Sequence, residues 1–239
     1  MQPFTKILIL LSSIIFICSC NNTATQNEDS TTHAATEKAT SAKKMDAAPQ
    51  DLTKYGIATN PENILGGLKV GDKAPDFTTV DQDGKTQSLS SALKNGPVLL
   101  VFLRAEWCSF CVRHLQEFEA SIEEIHKSGA TQVLAVSPQL PSYMKDFHKE
   151  HNFSFPILYD EDHSIMKNYK GFFHVTKKYN DYIKKAKGEY IEVFNGDTEP
   201  VMPIPATYLI GQDQIFDYVH YDENYKKRSD VKAVIAELL

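Results

Sequence analysis

The stretch "VLLVFLRAEWCSFC", from Val98 to Cys111, joins an apolar run to two cysteines that are separated by two residues. A continuous apolar run that ends at a charged residue, here Arg104, is typical of a strand buried on both faces of a sheet. The same stretch holds Trp107, the single tryptophan of the chain. The sequence therefore predicts a central strand that leads directly into the Cys108 and Cys111 pair.

A helix is predicted to follow the pair. Leu115, Phe118, Ile122 and Ile125 recur at spacings of three and four residues, which describes one face of a helix. Extending that face backwards reaches Cys111, with the other cysteine one turn earlier at the start of the helix.

Local signals predict several helix ends and turns. Gly129 is predicted to end the helix after the pair, Ser90 to cap a short early helix and Ser229 to cap the last helix, with a turn at Asn195 and Gly196.

Strands and helices alternate through the rest of the chain. "PATYLIGQDQIFDYVHY" (Pro205 to Tyr221) predicts a late hairpin, and alternation around Asp83 and Gly84 predicts an early one. The fold class is therefore α/β, a central mixed sheet flanked by helices with an N-terminal β-hairpin.

The N-terminus, "MQPFTKILILLSSIIFICSC", predicts an export signal over residues 1–19. A Lys precedes an apolar run that is too short to span a membrane and that ends in small residues. "ICSC" resembles the lipobox of bacterial lipoproteins, and this resemblance implies cleavage before Cys20 and lipidation of that residue. An ordinary cleaved signal and an uncleaved anchor are the alternatives.

Residues 20–50 are rich in Thr, Ala, Ser, Asn and Lys and contain almost no large apolar side chains. Such a segment buries too little surface to offset its ordering entropy, so we predict a flexible tether. Residues 51–239 then form one domain, anchored outside the cytoplasm in a bacterial cell envelope. The net charge of −6, without a basic stripe, gives no support for nucleic-acid binding.

Three interpretations of the cysteine pair compete with a redox centre. Structural zinc takes four ligands, and no second Cys or His pair stands at short spacing. A copper site would add a distant histidine, for which His174 or His220 is available. A structural disulfide would close a loop too small to constrain much of the unfolded chain. We therefore favour a redox pair with no metal and no cofactor.

Several stretches together resemble the thioredoxin superfamily, and within it the peroxiredoxin-like proteins of the alkyl hydroperoxide reductase and thiol-specific antioxidant family. They are "GDKAPDFTTVDQDGK", "FLRAEWCSFCVRHL" and "PIPATYLIGQDQIFDYVHYDENYKKR". The resemblance covers roughly Leu68 to Arg228. It implies a cis Ile204–Pro205 bond facing the cysteines, a site shaped by Pro205 and Trp107, and peroxide as a substrate.

Aligning the family's P-x-x-x-T-x-x-C motif on this chain makes Cys111 the peroxidatic cysteine and Cys108 its resolving partner. Arg104 and Cys108 then stand where the family has Pro and Thr. The transition-state arginine of the family has no matched position, although Arg104 and Arg113 are near in sequence. Glu106 is interpreted as a surface charge, and the aromatic residues from Phe172 to Tyr190 as local core.

The leading functional prediction is thiol-dependent peroxide reduction, with a thioredoxin-like protein as reductant. The enzymatic alternative is thiol–disulfide exchange on extracytoplasmic proteins, in which Cys108 attacks first because it is nearer the helix tip and more exposed. The alternative outside enzymes is a copper-binding assembly protein. The role of the 172–200 insertion is left open.

Replacing the proposed lipid acceptor tests the predicted attachment. Cys20→Ser is expected to release the protein from membranes or to leave an uncut precursor, because the acylated residue is gone. Membrane fractionation together with the mass of the mature protein provides the measurement. Unchanged membrane association with an unchanged mature mass would contradict it.

Overall fold

The computed structural model describes residues 51–130 and 132–239. The predicted signal at 1–19, the tether at 20–50 and the proposed acceptor Cys20 lie outside the described residues. No helix within the described ranges is long and apolar enough to cross a membrane.

The described residues contain one large mixed sheet and one small sheet. The strands are β1 (Thr78–Asp81), β2 (Thr86–Ser88), β3 (Val98–Phe102), β4 (Gln132–Ser137), β5 (Ile157–Tyr159), β6 (Phe172–His174), β7 (Val201–Pro203), β8 (Ala206–Ile210) and β9 (Phe216–Tyr221). The large sheet has the order β2-β1-β5-β4-β3-β8-β9, and β6 pairs with β7 alone.

Strand β3 lies inside the large sheet, as its apolar run predicts. It is parallel to β4 and antiparallel to β8, and all five of its residues are buried. Leu100, for example, is opposite Leu134 on one side and Tyr208 on the other. This placement carries the chain after Phe102 out of one end of the sheet, where the cysteine pair follows.

Helices pack around this sheet and make the fold the predicted α/β arrangement. They are α1 (Leu89–Ala92), α2 (Ser109–Ala120), α3 (Ile122–Lys127), α4 (Pro141–His151), α5 (Ser164–Asn168), α6 (Lys177–Lys187), α7 (Ile191–Asn195) and α8 (Val231–Ala236), with short 3-10 turns at Leu52–Tyr55 and Leu93–Asn95. Leu115 and Phe118 of α2 are fully buried in one cluster with Leu99 and Val101 of β3.

Several helix ends differ from the expectations. The helix after the pair breaks at Ser121, rather than continuing to Gly129, and α3 resumes at the next residue. Helix α1 is capped by Ser88, whose hydroxyl accepts the amide of Ser91, and not by Ser90. Helix α8 is capped by Asp230 and not by Ser229.

The 172–200 insertion consists mainly of regular secondary structure. Its first residues form β6, which pairs with β7 in the register Phe172 to Pro203. Between these strands lie α6 and α7. The predicted turn at Asn195 and Gly196 is instead the end of α7, where Gly196 takes a positive φ of 77° as the C-cap. This insertion therefore forms a lobe whose buried apolar cluster also takes in Ile57 and Ile204.

The predicted cis bond before Pro205 is wrong. The described residues contain no cis peptide bond, so Ile204–Pro205 is trans. The bond links the end of β7 to the start of β8. A trans peptide holds successive Cα atoms about 3.8 Å apart, which suits a chain that passes extended from one strand to the next, whereas a cis peptide shortens this step to about 2.9 Å.

Truncating the α2 face tests how the helix is held against the sheet. Leu115→Ala is expected to lower the free energy of unfolding by about 2–5 kcal/mol, because it leaves a cavity in a fully buried position. Glu117→Ala, on the exposed side of the same helix, is the matched control and should change it by less than about 0.5 kcal/mol. Urea unfolding followed by circular dichroism provides the measurement. Equal effects of the two substitutions would contradict this packing.

Candidate active site

Cys108 and Cys111 meet at the N-terminus of α2, as their spacing predicts. Cys108 is the N-cap residue, and its carbonyl accepts the amides of Cys111 and Val112 at 2.8 and 3.0 Å. Both cysteines are free thiols and both are buried. Their sulfurs lie 2.6 Å apart, so the two groups can share one proton in a hydrogen bond.

The sulfur of Cys111 sits in a positively polarised environment. The backbone amide of Arg104 and Nη2 of Arg228 each donate to it at 3.4 Å. Burial raises the pKa of the Cys111 thiol. The hydrogen bond with Cys108, the charge of Arg228, and the amide and charge of Arg104 outweigh burial and lower that pKa to about 5.

The pKa of Cys108 is shifted in the opposite direction. Its hydrogen bond with Cys111, its burial and the negative charge of Cys111 raise its pKa well above the ordinary value of a thiol. At neutral pH the pair therefore consists of a Cys111 thiolate and a Cys108 thiol.

Arg228 is held in place by the segment around it. Its Nη1 donates to the carbonyls of Tyr225 and Lys227, which leaves Nη2 directed at the sulfurs, 3.4 Å from Cys111 and 4.0 Å from Cys108. The sequence reasoning missed this residue. It lies 117 residues from Cys111 along the chain, and no local motif connects the two.

Buried hydrogen bonds hold Ser229, the residue after Arg228, in place. The hydroxyl of Ser229 donates to Thr207 at 3.0 Å and bonds Nε2 of His114 at 2.9 Å. This engagement explains why Ser229 does not cap α8. Burial, together with the charges of Arg228 and His220, lowers the pKa of His114 to about 3, so its imidazole is neutral at physiological pH.

A cavity of about 140 Å³ opens beside Cys108. It is lined by Arg104, Trp107, Cys108, Ser109, Phe110, Tyr179, Tyr182, Ile183, Ala186, Lys187 and Tyr225. Phe172 and Phe173 lie in the core as expected. Tyr179 and Tyr182, in contrast, face this cavity, so interpreting the whole aromatic set as local core was wrong.

Glu106 is also not the surface charge that the sequence suggested. It is half-buried, and its carboxylate accepts the side-chain amide of Gln139 at 2.9 Å and the backbone amide of Trp107 at 2.5 Å. Burial raises the pKa of Glu106 against the opposing effect of these hydrogen bonds.

The remaining predicted positions are less directly connected to the sulfurs. Pro205 is buried and precedes Ala206, which pairs with Phe102, so it lies at the end of the sheet from which the cysteine loop emerges. Arg113 is exposed on α2 and its guanidinium lies over the ring of Phe110.

The histidines considered for copper do not join the pair. In the described part of the chain, the compact group of potential metal ligands is Glu62, His174 and Glu199. Neither His174 nor His220 forms such a group with the two sulfurs there, so the geometry gives no support to a copper site.

The chain is similar in sequence to known peroxiredoxins. Residues 70–219 match the model of the AhpC/TSA family. The chain is 32% identical over 152 residues to chloroplastic peroxiredoxin Q of Populus jackii, covering 62% of this chain and 70% of that protein. It is 31% identical over 153 residues to chloroplastic peroxiredoxin Q of Triticum aestivum, covering 63% and 70%.

Among solved structures, the fold resembles peroxidoxin BcpB from Mycobacterium tuberculosis, with a TM-score of 0.56 and 19% identity over 72% of this chain and 96% of that one. It also resembles reduced Prx3 from Vibrio vulnificus in complex with hydrogen peroxide, with a TM-score of 0.57 and 13% identity over 72% and 99%. At these identities the likeness concerns the fold.

Removing the Arg228 charge tests its effect on the thiolate. In the wild type the Cys111 proton is lost as the pH rises through about 5, so thiolate absorbance in the ultraviolet should rise there. Arg228→Met is expected to move this rise upwards by about 1–3 pH units, because an opposite charge at this distance favours the thiolate. Arg113→Met, which removes an exposed charge from the same neighbourhood, is the control. An unmoved titration in Arg228→Met would contradict the assignment.

Proposed function

We propose that this chain, which belongs to the AhpC/TSA family and is a thiol-dependent peroxidase, reduces peroxides outside the cytoplasm with Cys108 and Cys111 as its redox pair. The observation that carries the proposal is the asymmetric protonation of the pair. Cys111 has its pKa lowered to about 5 and Cys108 has its pKa raised. Since the thiolate is the nucleophile, Cys111 is the sulfur prepared to attack.

The first step forms a sulfenic acid on Cys111. Its thiolate attacks one oxygen of the peroxide, the O–O bond breaks, and the other oxygen leaves as hydroxide or alkoxide. Arg228, with Nη2 at 3.4 Å from the attacking sulfur, is placed to stabilise the charge that moves onto the peroxide. The sulfur is oxidised and the peroxide is reduced.

The second step uses Cys108 twice. Its thiol proton neutralises the leaving oxygen, which departs as water or an alcohol. The resulting Cys108 thiolate then attacks the sulfenic sulfur of Cys111, and hydroxide leaves as the disulfide forms. The 2.6 Å between the two sulfurs supports this sequence, because the resolving thiol is already in contact with the reacting one.

An external thiol must reopen the disulfide, so turnover alternates between peroxide and reductant. Cys108 lines the cavity and Cys111 does not, which favours attack by the reductant on Cys108. A thioredoxin-like protein remains our proposed partner in this step. The extracytoplasmic location and the lipid anchor at Cys20 rest on the sequence of residues 1–50 alone.

Disulfide exchange initiated by Cys108 is less well supported. Cys108 is the slightly more exposed residue, at 5% against 2%, as that alternative expects, but both residues are buried. The raised pKa of Cys108 further disfavours its thiolate.

Single cysteine variants distinguish the two divisions of labour. Cys111→Ser is expected to abolish peroxide consumption by the pair, because the prepared thiolate is lost. Cys108→Ser should retain a single turnover at a reduced rate, lacking the proton donor, and should leave Cys111 as a sulfenic acid. Intact mass after one equivalent of hydrogen peroxide measures both outcomes.

The same variants should be incubated with a disulfide-bonded protein. A covalent adduct on Cys108 in Cys111→Ser, together with no sulfenic acid on Cys111 in Cys108→Ser, would contradict the proposed roles. It would favour thiol–disulfide exchange instead.

A further inference from the structure

Arg104 carries a buried positive charge that is not matched by hydrogen bonds. The residue is 1% exposed, and within the described residues none of its three guanidinium nitrogens has a hydrogen-bond partner within 3.5 Å. A nearby acceptor is the hydroxyl of Tyr179, where the charge and donors of Arg104 oppose the rise in the Tyr179 pKa that burial causes. A guanidinium offers five N–H donors, and burying the donors of a charged group without hydrogen bonds costs free energy. The backbone amide of Arg104 donates to Cys111 and its charge lowers the pKa of that thiol, but neither interaction occupies the side-chain N–H groups.

Aromatic rings surround this guanidinium. Its central carbon lies 4.2 Å from the ring centroid of Tyr225, 4.9 Å from that of Tyr179 and 5.8 Å from that of Trp107. Rings contact the flat faces of a guanidinium and stabilise its charge, but its N–H bonds lie in the plane between those faces. The enclosure therefore holds the charge in position without using up its donors.

The guanidinium borders the cavity beside Cys108, whose rim carries a second positive charge. Lys187 and Tyr182 are exposed at that rim. The nearby carboxylate of Glu106 accepts hydrogen bonds from Gln139 and the amide of Trp107, and its interaction with Lys187 offsets part of that charge, so Arg104 is the main cationic group of the cavity. The cavity, at about 140 Å³, is close in size to an engineered cavity of about 150 Å³ that holds a benzene ring.

We propose that this cavity is an anion-binding subsite for the substrate, and that it takes a compact organic hydroperoxide bearing a carboxylate. Arg104 binds the carboxylate through its free N–H donors, with Lys187 adding charge at the rim. The apolar body of the ligand packs against Tyr179 and Ile183, and the hydroperoxide group lies against Cys108, whose sulfur is in contact with that of Cys111. The inference depends on the proposed function only for the hydroperoxide; the carboxylate subsite stands on its own observations.

Binding of unreactive ligands tests the subsite without any redox chemistry. Trp107 is the single tryptophan of the chain and lines the cavity, so its fluorescence reports occupancy. The probes are 4-isopropylbenzoate and its uncharged counterpart 4-isopropylbenzamide. We expect the carboxylate to bind about tenfold more tightly or better than the amide, since charge-assisted hydrogen bonds to a guanidinium are strong.

Three variants assign the preference to the named charges. Arg104→Met is expected to remove the preference for the carboxylate, and Lys187→Met to reduce it about two- to threefold, as an exposed charge contributes little. Lys185→Met, an exposed position of the same helix that does not line the cavity, should bind as the wild type does. Should Arg104→Met fail to fold, the ligand pair on the wild type and the Lys187 variant still decide.

Kinetics then connects the subsite to turnover. Cumene hydroperoxide and its para-carboxylate form a matched pair of substrates, and the carboxylate is expected to have the higher kcat/KM in the wild type. Equal binding of the benzoate and the benzamide would overturn the subsite. Preferential binding of the benzoate with no consumption of either hydroperoxide would leave the anion subsite in place and overturn the proposed peroxidase role of the pair.

Discussion

A negative charge on a buried sulfur is the constraint on which the site depends. Cys111 lies where burial opposes ionisation, so its thiolate exists only because donors converge on it from separate parts of the chain. The amide of Arg104 comes from the end of β3, the thiol of Cys108 from the cap of α2, and the guanidinium of Arg228 from the segment after β9. The sheet must bring these three together, and the apolar core is what fixes their positions.

The 172–200 insertion gives this reactive centre its surroundings. Helix α6 supplies Tyr179, Ile183 and Lys187 to the cavity beside Cys108, and α7 supplies Phe194, which packs against Trp107. The insertion is attached through the β6–β7 pairing and through an apolar cluster that it shares with neighbouring segments. The cluster is also packed by Trp107 of the cysteine loop and Tyr221 of β9, so substitutions in this lobe act on the surroundings of the sulfurs through these shared contacts.

The elements predicted correctly from the sequence are those whose signal is local. The apolar run of β3 and the helical spacing of Leu115 and Phe118 are consequences of burial that any short window displays. The errors arise where distant contacts decide. Ser229 looks like a helix cap, but Thr207 and His114 engage its hydroxyl. Arg228 and Tyr179 are unremarkable in their own stretches of sequence, and only the folded chain brings them to the pair.

In the proposed catalytic cycle, the arrangement around Cys111 also affects the stability of the oxidised enzyme. Arg104 and Arg228 both stabilise the thiolate through their charge, and a disulfide carries no charge to replace it. When the pair is oxidised, two guanidinium groups face neutral sulfurs in a buried setting, and their electrostatic stabilisation is lost. The dithiol form is thus favoured relative to the disulfide, which raises the reduction potential of the pair. A disulfide with a raised reduction potential accepts electrons readily. A mild reductant would therefore be enough to restore the dithiol form, which reacts with the next peroxide.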